Sequence, residues 1–458
     1  MNMATASSTA LKPGTDHGLD STVVAQATWH SLAWLVFANC IGVWIAILLL
    51  YPGAGNWIAP LSYGRWMPVH MDLELYGWTS LPLVGWAIRV YRADRGRIAP
   101  WSKAALVLWS VALALGAVSW ISGHTTGKLF LDWTGYVRVF FPLSILFLWG
   151  VLLLALVRDW RGKFDSIAAL AAKFAGLVVL LIVPFLIYIA CSPNIYPPVN
   201  PATGGPTGAS QLESVLVTVL ILFLVPYGVT RRNREPARWL QICWVVFVLE
   251  SILCISLGRY DASNSNPAQY WGLATVLVWA PLLPKYYGAF EWRPAARIWL
   301  RATYAWWAML LVSGWIIFLP GVLNRFKFTD GLVGHSLMAM AGFVTTLLIL
   351  MLVMMLGDDG DVFGSRWAFW AWQLGTFVYV VIMFYAGWIE GAHPVFTMVP
   401  GPLRNAIYWL RLVVGLAMAA GSIDWLYWMT RRLQSRTGAA AKDGAKRIPA
   451  RAGEAMVQ

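Results

Sequence analysis

The chain has 458 residues, of which 59% are hydrophobic and only 12% are charged, and it contains 29 tryptophans. This composition is far too apolar for an ordinary soluble globular protein. The net charge of +13 could suggest nucleic acid binding. The lysines and arginines fall in alternate loops between apolar segments, however, and this pattern indicates membrane topology instead.

About twelve apolar segments are long enough to cross a bilayer, which takes roughly 20 residues. Backbone polar groups must be paired within each segment in lipid, so each segment is predicted to be a helix. The predicted fold class is all-α: a polytopic membrane protein with about twelve transmembrane helices. The predicted spans are approximately 28–51, 68–91, 103–124, 134–157, 168–191, 211–230, 237–257, 267–288, 298–319, 331–356, 366–388 and 404–430.

The basic residues predict the orientation of these spans. Basic clusters follow spans two, four, six and eight and continue after span twelve, and cytoplasmic loops carry an excess of lysine and arginine. Both termini are therefore expected in the cytoplasm of a bacterial-type inner (plasma) membrane. Residues 1–27 are predicted to be a disordered tail, 28–430 the membrane domain, and 431–458 a basic tail that meets anionic lipid. The clusters include Arg92, Arg95, Arg97, Lys103, Arg158, Arg161, Lys163, Arg231, Arg232, Arg234, Lys285, Arg293, Arg297, Arg301, Arg431 and Arg432.

Two of the six histidines have the placement of metal ligands. His70 opens span two and His335 opens span ten, both on the predicted outer side, whereas His30 lies at the cytoplasmic end of span one. Imidazoles from two helices at matching depth can bind one haem iron on opposite faces. Such an iron has no open position, which suits electron transfer. A hydrogen-bonded structural role is the alternative for each histidine.

Three segments resemble, in order, the catalytic subunit of the C family of haem-copper oxidases, the cbb-type enzymes. SYGRWMPVHMDLELYGW (62–78) resembles the opening of helix two, where the histidine binds low-spin haem b. ISGHTTGKLFLDW (121–133) is similar to the family's loop before helix four, and LVGHSLMAMAGF (332–343) to the helix-ten motif His-x-His-x-x-x-x-x-Gly. The resemblance extends over roughly residues 28–430 and is most specific around His70 and Lys128. It implies a subunit I-like bundle in which His70 and His335 bind one low-spin haem b.

The same resemblance implies that the oxygen-reducing centre is absent. The proximal ligand of the family's catalytic haem falls on Val333, and two of its copper ligands fall on Arg259 and Tyr260. Helix six offers Glu213 in place of a histidine. Copper is therefore not expected. The implied function is that of a haem-binding subunit of a respiratory electron-transfer complex, partnered by membrane lipid and by companion subunits such as a cytochrome c or quinol donor.

Further polar residues are candidates for supporting roles. Arg65 could pair with a haem propionate, since a guanidinium matches a carboxylate bidentately; a topology-neutral interfacial arginine is the alternative. Glu74 lies one helical turn after His70. Glu74, Glu213 and Glu250 are candidates to carry protons or to support a ligand, and Glu213 could also bind a non-haem metal. Burial against a structural partner is the alternative for each. His124 could bind a propionate or be a loop residue.

Two other functions remain open on the sequence. One is an active terminal oxidase or nitric oxide reductase with a non-standard site, which would need an iron with an open position and a second metal. The other is a scaffold, assembly factor or transporter that has lost haem altogether. Retention of both His70 and His335 favours the electron-transfer subunit over the latter.

Overall fold

The computed structural model describes residues 22–58, 61–159, 166–192, 194–195, 211–233, 238–257 and 267–446. Within these residues the regular secondary structure is helical, apart from one isolated antiparallel bridge between Arg232 and Phe290. The predicted all-α class is confirmed.

Within the described residues, twelve long helical segments, α1 to α12, overlap the twelve predicted spans. The helices α2 and α10 each contain a π-helical segment, and α8 contains a 3-10 turn. The segments are α1 (Thr22–Leu50), α2 (Tyr63–Asp72, Leu73–Thr79 and Ser80–Val90), α3 (Ala99–Ile121), α4 (Val137–Asp159), α5 (Ile167–Ala190), α6 (Gln211–Val229), α7 (Arg238–Leu257), α8 (Pro267–Ala274, Thr275–Val278 and Trp279–Tyr287), α9 (Arg297–Ile317), α10 (Asp330–Leu337, Met338–Val344 and Thr345–Leu356), α11 (Arg366–Glu390) and α12 (Pro402–Lys446).

Membrane crossing is supported by length and apolarity. Among the described residues, nine helices are long and apolar enough to span a bilayer: α1, α3, α4, α5, α6, α7, α10, α11 and α12. The other three coincide with predicted spans two, eight and nine. Of these, α2 carries Arg65, His70, Asp72 and Glu74, so polar side chains reduce its mean apolarity.

The two ends of the membrane domain differ from the predicted boundaries. Helix α1 begins at Thr22, before the predicted start at residue 28, because Val23, Val24 and Ala25 are buried and extend its packed surface. Helix α12 continues to Lys446 through an alanine-rich run, and alanine is the best helix former. The predicted tails otherwise fall on residues 1–21 and 447–458, outside the described part of the chain.

Buried apolar side chains form two large clusters, and α2 contributes to both. Helices α1 to α5 supply most of the first cluster, in which Trp133 stacks on Phe141 with ring centroids 4.4 Å apart. Helices α6 to α10 and α12 supply most of the second. Val69 and Leu73 of α2 belong to the first cluster and Trp78 to the second. Helix α2 therefore lies where the two halves of the bundle meet.

Candidate functional site

The two candidate haem ligands occupy equivalent places in their helices. His70 precedes the π-helical segment Leu73–Thr79 by three residues, and His335 precedes Met338–Val344 by three. A hydroxyl at the end of each segment bonds the carbonyl five residues earlier: Thr79 that of Glu74 at 3.0 Å, and Thr345 that of Met340 at 2.9 Å. Insertions of this kind are rare in α-helices and are frequent at functional sites.

Helices α2 and α10 run parallel and are joined by two hydrogen bonds. Trp78 Nε1 donates to Thr345 Oγ1 at 2.9 Å, and further along both helices Arg89 Nη1 donates to the Met355 carbonyl at 2.6 Å. From the first bond to the second, the residue number increases along both helices. The helices therefore run in the same direction and have a defined register.

This register sets the depths of the histidines. His70 lies eight residues before Trp78 and His335 ten residues before Thr345. At about 1.5 Å of rise per residue, the two histidines lie roughly 12 Å and 15 Å from the Trp78–Thr345 hydrogen bond along their helices. The structure thus places them at similar depth, at one end of the bundle. We call this the histidine end, and the end that carries Arg89 the basic end.

His70 rests on α1. Its Nδ1 lies 2.9 Å from the Ala38 carbonyl oxygen, which can only accept, so Nδ1 carries the proton and Nε2 keeps its lone pair. A Cβ on Gly42 would come within 2.9 Å of His70 Cε1. The ring therefore lies against helix α1 at a position that only a glycine leaves open.

His335 rests on α9 in the same manner. Its Nδ1 lies 3.1 Å from Ser313 Oγ, and a Cβ on Gly314 would come within 3.2 Å of its Cε1. The contacts described for the two rings go to different helices, α1 for His70 and α9 for His335.

A cavity of about 280 Å³ adjoins His335. Side chains of α6, α8 and α9 complete its wall, including Thr218, Val276 and Trp307, and His70 does not line it. Val333, at the position of the family's other helix-ten histidine, is exposed on the surface of α10. The equivalents of two copper ligands, Arg259 and Tyr260, lie outside the described residues.

Arg65 lies at the histidine end and packs on the loop after α3. A Cβ on Gly123 would clash directly with the Arg65 guanidinium, and Gly123 has φ +91°, a conformation that side-chain-bearing residues rarely adopt. The next residue, His124, is exposed, and its carbonyl accepts a hydrogen bond from Thr134 Oγ1 at 2.9 Å. The Arg65 guanidinium thus lies against Gly123.

The candidate carboxylates are dispersed. Glu250 is buried and accepts a hydrogen bond from Trp279 Nε1 at 2.5 Å, so it links α7 to α8. Glu213 is exposed at the start of α6, and Glu74 is half-buried in the π-helical segment of α2. Within the described part of the chain, no group of three or more histidine, cysteine, aspartate or glutamate side chains could hold a metal ion.

A buried polar cluster lies under the loop between α3 and α4. Asp72 is fully buried beside Asp132, whose Oδ1 accepts a hydrogen bond from the Thr126 backbone N–H at 2.8 Å. Burial raises the pKa of the Asp132 carboxyl above its usual range, although the donors of Thr126 partly oppose this. Lys128 Nζ donates to the carbonyls of Ala190 at 2.7 Å and Ser192 at 2.6 Å, which satisfies the end of α5.

Sequence reasoning missed the residues that position the histidines. Ser313, Gly42 and Gly314 are separated in sequence from the histidines that they contact. Small residues within apolar spans signal close helix approach, and this signal could have indicated the two glycines. Neither π-helical segment has a sequence signature that we could have used.

The arrangement of the long helices in the described part of the chain is similar to that of a solved membrane protein. The structure is similar to a cryo-EM structure of a heme-copper terminal oxidase dimer, with a TM-score of 0.54 and 12% sequence identity over 90% of this chain and 83% of that chain. The chain shares its overall fold with that oxidase. The predicted all-α membrane fold is confirmed, and the resemblance is supported as far as the fold. No protein-family model and no curated protein matches the chain.

The two candidate histidines have the chemistry of metal ligands. The Nδ1–H of His70 is held by the Ala38 carbonyl, which leaves Nε2 as the donor atom. Gly42 and Gly314 give both rings a fixed place against a neighbouring helix. The residues present therefore fit histidine ligation of haem.

Proposed function

We propose that this chain is a haem-binding integral membrane subunit of a respiratory electron-transfer complex, in which His70 and His335 would hold one low-spin haem b. The register of α2 and α10 carries this proposal. The bonds from Trp78 to Thr345 and from Arg89 to Met355 hold the helices parallel, so that both histidines reach the same depth at one end of the bundle.

Each residue of the site has a distinct part in the proposal. Bound haem supplies a one-electron carrier whose potential depends on its axial ligands and on their hydrogen bonds. The Ala38 carbonyl and Ser313 Oγ orient the two imidazoles. Arg65 offers a guanidinium at the histidine end for a propionate, and the apolar helices exclude water. With two histidine ligands the iron has no open position, which favours electron transfer over oxygen chemistry.

The proposal follows the C-family resemblance in omitting a binuclear centre. The positions of the family's catalytic ligands carry Val333, Arg259 and Tyr260, none of which supplies an imidazole. Companion subunits that include a cytochrome c or quinol donor would then supply or accept the electrons. The basic loops favour a cytoplasmic location for the basic end and for both termini.

One observation favours a second candidate function. The cavity of about 280 Å³ beside His335 lies on the side of α6, α8 and α9 and not on the side of His70. A haem held by His335 alone would have an open position. Such a chain would be a terminal oxidase or nitric oxide reductase with a non-standard site.

A reduced-minus-oxidised optical spectrum of the purified protein, recorded with and without carbon monoxide and combined with metal analysis, tests these proposals. We expect one low-spin haem per chain, no copper and no response to carbon monoxide. A haem that binds carbon monoxide would support the second candidate. A protein without haem would contradict both and indicate a scaffold, assembly factor or transporter.

A further inference from the structure

A second cavity, of about 530 Å³, lies at the basic end of the bundle, remote from the histidines. Arg89 of α2 lines it and lies 19 residues after His70, roughly 28 Å along the helix at about 1.5 Å per residue. The ends of α2, α6 and α10 and the loop after α8 form its walls. Its volume is in the range of sites for small ligands, about 300–1,000 Å³.

Backbone contacts between two loops hold one wall of this basic cavity. The Glu291 N–H donates to the Arg231 carbonyl at 3.0 Å, and the Asn233 N–H donates to the Ala289 carbonyl at 2.9 Å. Together with the bridge between Arg232 and Phe290, these bonds tie the loop after α6 to the loop after α8. Backbone hydrogen bonds between the two loops therefore hold this wall of the cavity in place.

Arginines predominate among the charged groups of the lining. Four arginines line the cavity against two carboxylates, and phosphate matches the planar fork of a guanidinium. The arginines are Arg89, Arg95, Arg231 and Arg293, and the carboxylates are Asp94 and Glu291.

Three of these six side chains have charged partners, and one is anchored to backbone. The Asp94 carboxylate lies 3.8 Å from the Arg95 side chain, and Arg293 pairs with Asp358, whose own side chain is exposed. The Arg89 guanidinium is fixed by its bond to the Met355 carbonyl. Arg231 is exposed in the loop after α6. The cavity thus has a positive excess and a fixed guanidinium in one wall.

We propose that the basic cavity is a binding site for a phosphate group, in which Arg89, Arg231 and Arg293 contact the anion and Glu291 limits its affinity. The phosphate could belong to a soluble polyphosphate or to the headgroup of an anionic phospholipid, because basic pockets between membrane helices bind such headgroups. This inference does not depend on whether the histidine end holds haem.

The soluble source is tested by titrating pyrophosphate into the delipidated full-length protein in neutral detergent and measuring binding by calorimetry. The chain supplies a closely matched pair of variants, Arg231→Gln and Arg232→Gln. Both arginines are exposed and adjacent in the same loop, but only Arg231 lines the cavity. Losing a hydrogen bond to a charged group should weaken binding by roughly tenfold or more in Arg231→Gln, and Arg232→Gln should bind within about twofold of wild type.

The lipid source is tested by native mass spectrometry of the same proteins after incubation with phosphatidylglycerol or phosphatidylcholine. Selective retention of phosphatidylglycerol that Arg231→Gln reduces and Arg232→Gln does not would identify a headgroup site. Binding of pyrophosphate alone would identify a soluble ligand, and binding of both would show that the phosphate itself is recognised.

A gain of affinity provides a test that misfolding cannot imitate. Glu291→Gln removes a negative charge from the lining and keeps the backbone N–H that bonds Arg231, so it should tighten phosphate binding by several-fold. The proposal is overturned if neither pyrophosphate nor phosphatidylglycerol binds, if Glu291→Gln leaves affinity unchanged, or if Arg231→Gln and Arg232→Gln weaken binding equally.

Discussion

Trp78 Nε1 donates a hydrogen bond to Thr345 Oγ1 at 2.9 Å, and this buried contact joins the ends of the π-helical segments of α2 and α10. Thr345 in turn donates to the Met340 carbonyl, so the bond continues into the irregular turn of its own helix. The pair therefore couples the local geometry of the two helices that carry the candidate ligands.

Removing either proposed ligand should remove low-spin haem. His70→Ala and His335→Ala each delete an imidazole for which the surrounding helices supply no replacement at the same place, so we expect both to lose the low-spin signal in a reduced-minus-oxidised spectrum. His30→Ala is the control, because His30 lies near the start of α1, where its ring hydrogen-bonds Ser110 Oγ of α3 at 2.8 Å. A normal spectrum in both ligand variants would show that the ligands have been assigned wrongly.

The bond from Trp78 to Thr345 should contribute measurably to stability and should be specific to that pair. Trp78→Phe and Thr345→Val each leave one buried polar group without this partner, and we expect each to cost about 1–3 kcal/mol. The double variant should cost less than the sum of the single variants. Denaturation midpoints of all four proteins in the same detergent measure the coupling, and simple additivity would mean that the bond contributes nothing.

The sequence predicted the features that depend on amino-acid composition and on the order of the apolar segments. The lengths of the apolar runs predicted the twelve long helices of the described residues. The placement of His70 and His335 near span ends indicated their similar depth. Other features of the site depend on neighbours that are distant in sequence, such as Ser313 beside His335 and Ala38 beside His70. Periodicity within one helix carries no information about which carbonyl or hydroxyl another helix presents.

The boundary between the N-terminal tail and α1 shows a related limit of prediction from sequence. Polar composition predicted that residues up to 27 would lie outside the first helix, but the apolar residues Val23, Val24 and Ala25 pack in the bundle and the helix begins at Thr22. Tertiary packing extends a helix beyond the point where the average hydropathy of a window falls.

Gly42 and Gly314, which lie against the two imidazoles, should be required for haem binding but not for the folding of the rest of the bundle. In Gly42→Ala and Gly314→Ala the new Cβ would lie 2.9 Å and 3.2 Å from an imidazole Cε1, so the rings must move. We expect a shifted or diminished haem spectrum, with the larger effect in Gly42→Ala.

Gly150→Ala in α4 is the matched control for both glycine variants, since its Cβ would have no neighbour within 4 Å and alanine favours a helix. Its spectrum should equal that of wild type. If Gly42→Ala also left the spectrum unchanged, the close contact between α1 and His70 would have no part in ligand placement.

Asp132 should make the protein less stable as the pH rises. Burial raises the pKa of its carboxyl in the folded chain above the unfolded value of 3.8. The folded chain therefore favours the neutral acid, and stability is lost as the pH rises from the unfolded pKa through the folded one. Asp132→Asn removes this titration, and its amide oxygen can still accept the N–H of Thr126. We expect the melting temperature of the variant to rise relative to that of wild type as the pH increases above about 4.

The groups around Asp132 define the control for this titration. Asp72 faces the carboxyl, and the Thr126 and Gly127 backbone groups donate to it. The titration of Asp132 therefore depends on the cluster as a whole. Asp361→Asn removes an exposed carboxylate in the loop after α10 and should leave the pH dependence of wild type intact. A difference in melting temperature between Asp132→Asn and wild type that is the same at every pH would show that the Asp132 carboxyl is not perturbed by folding.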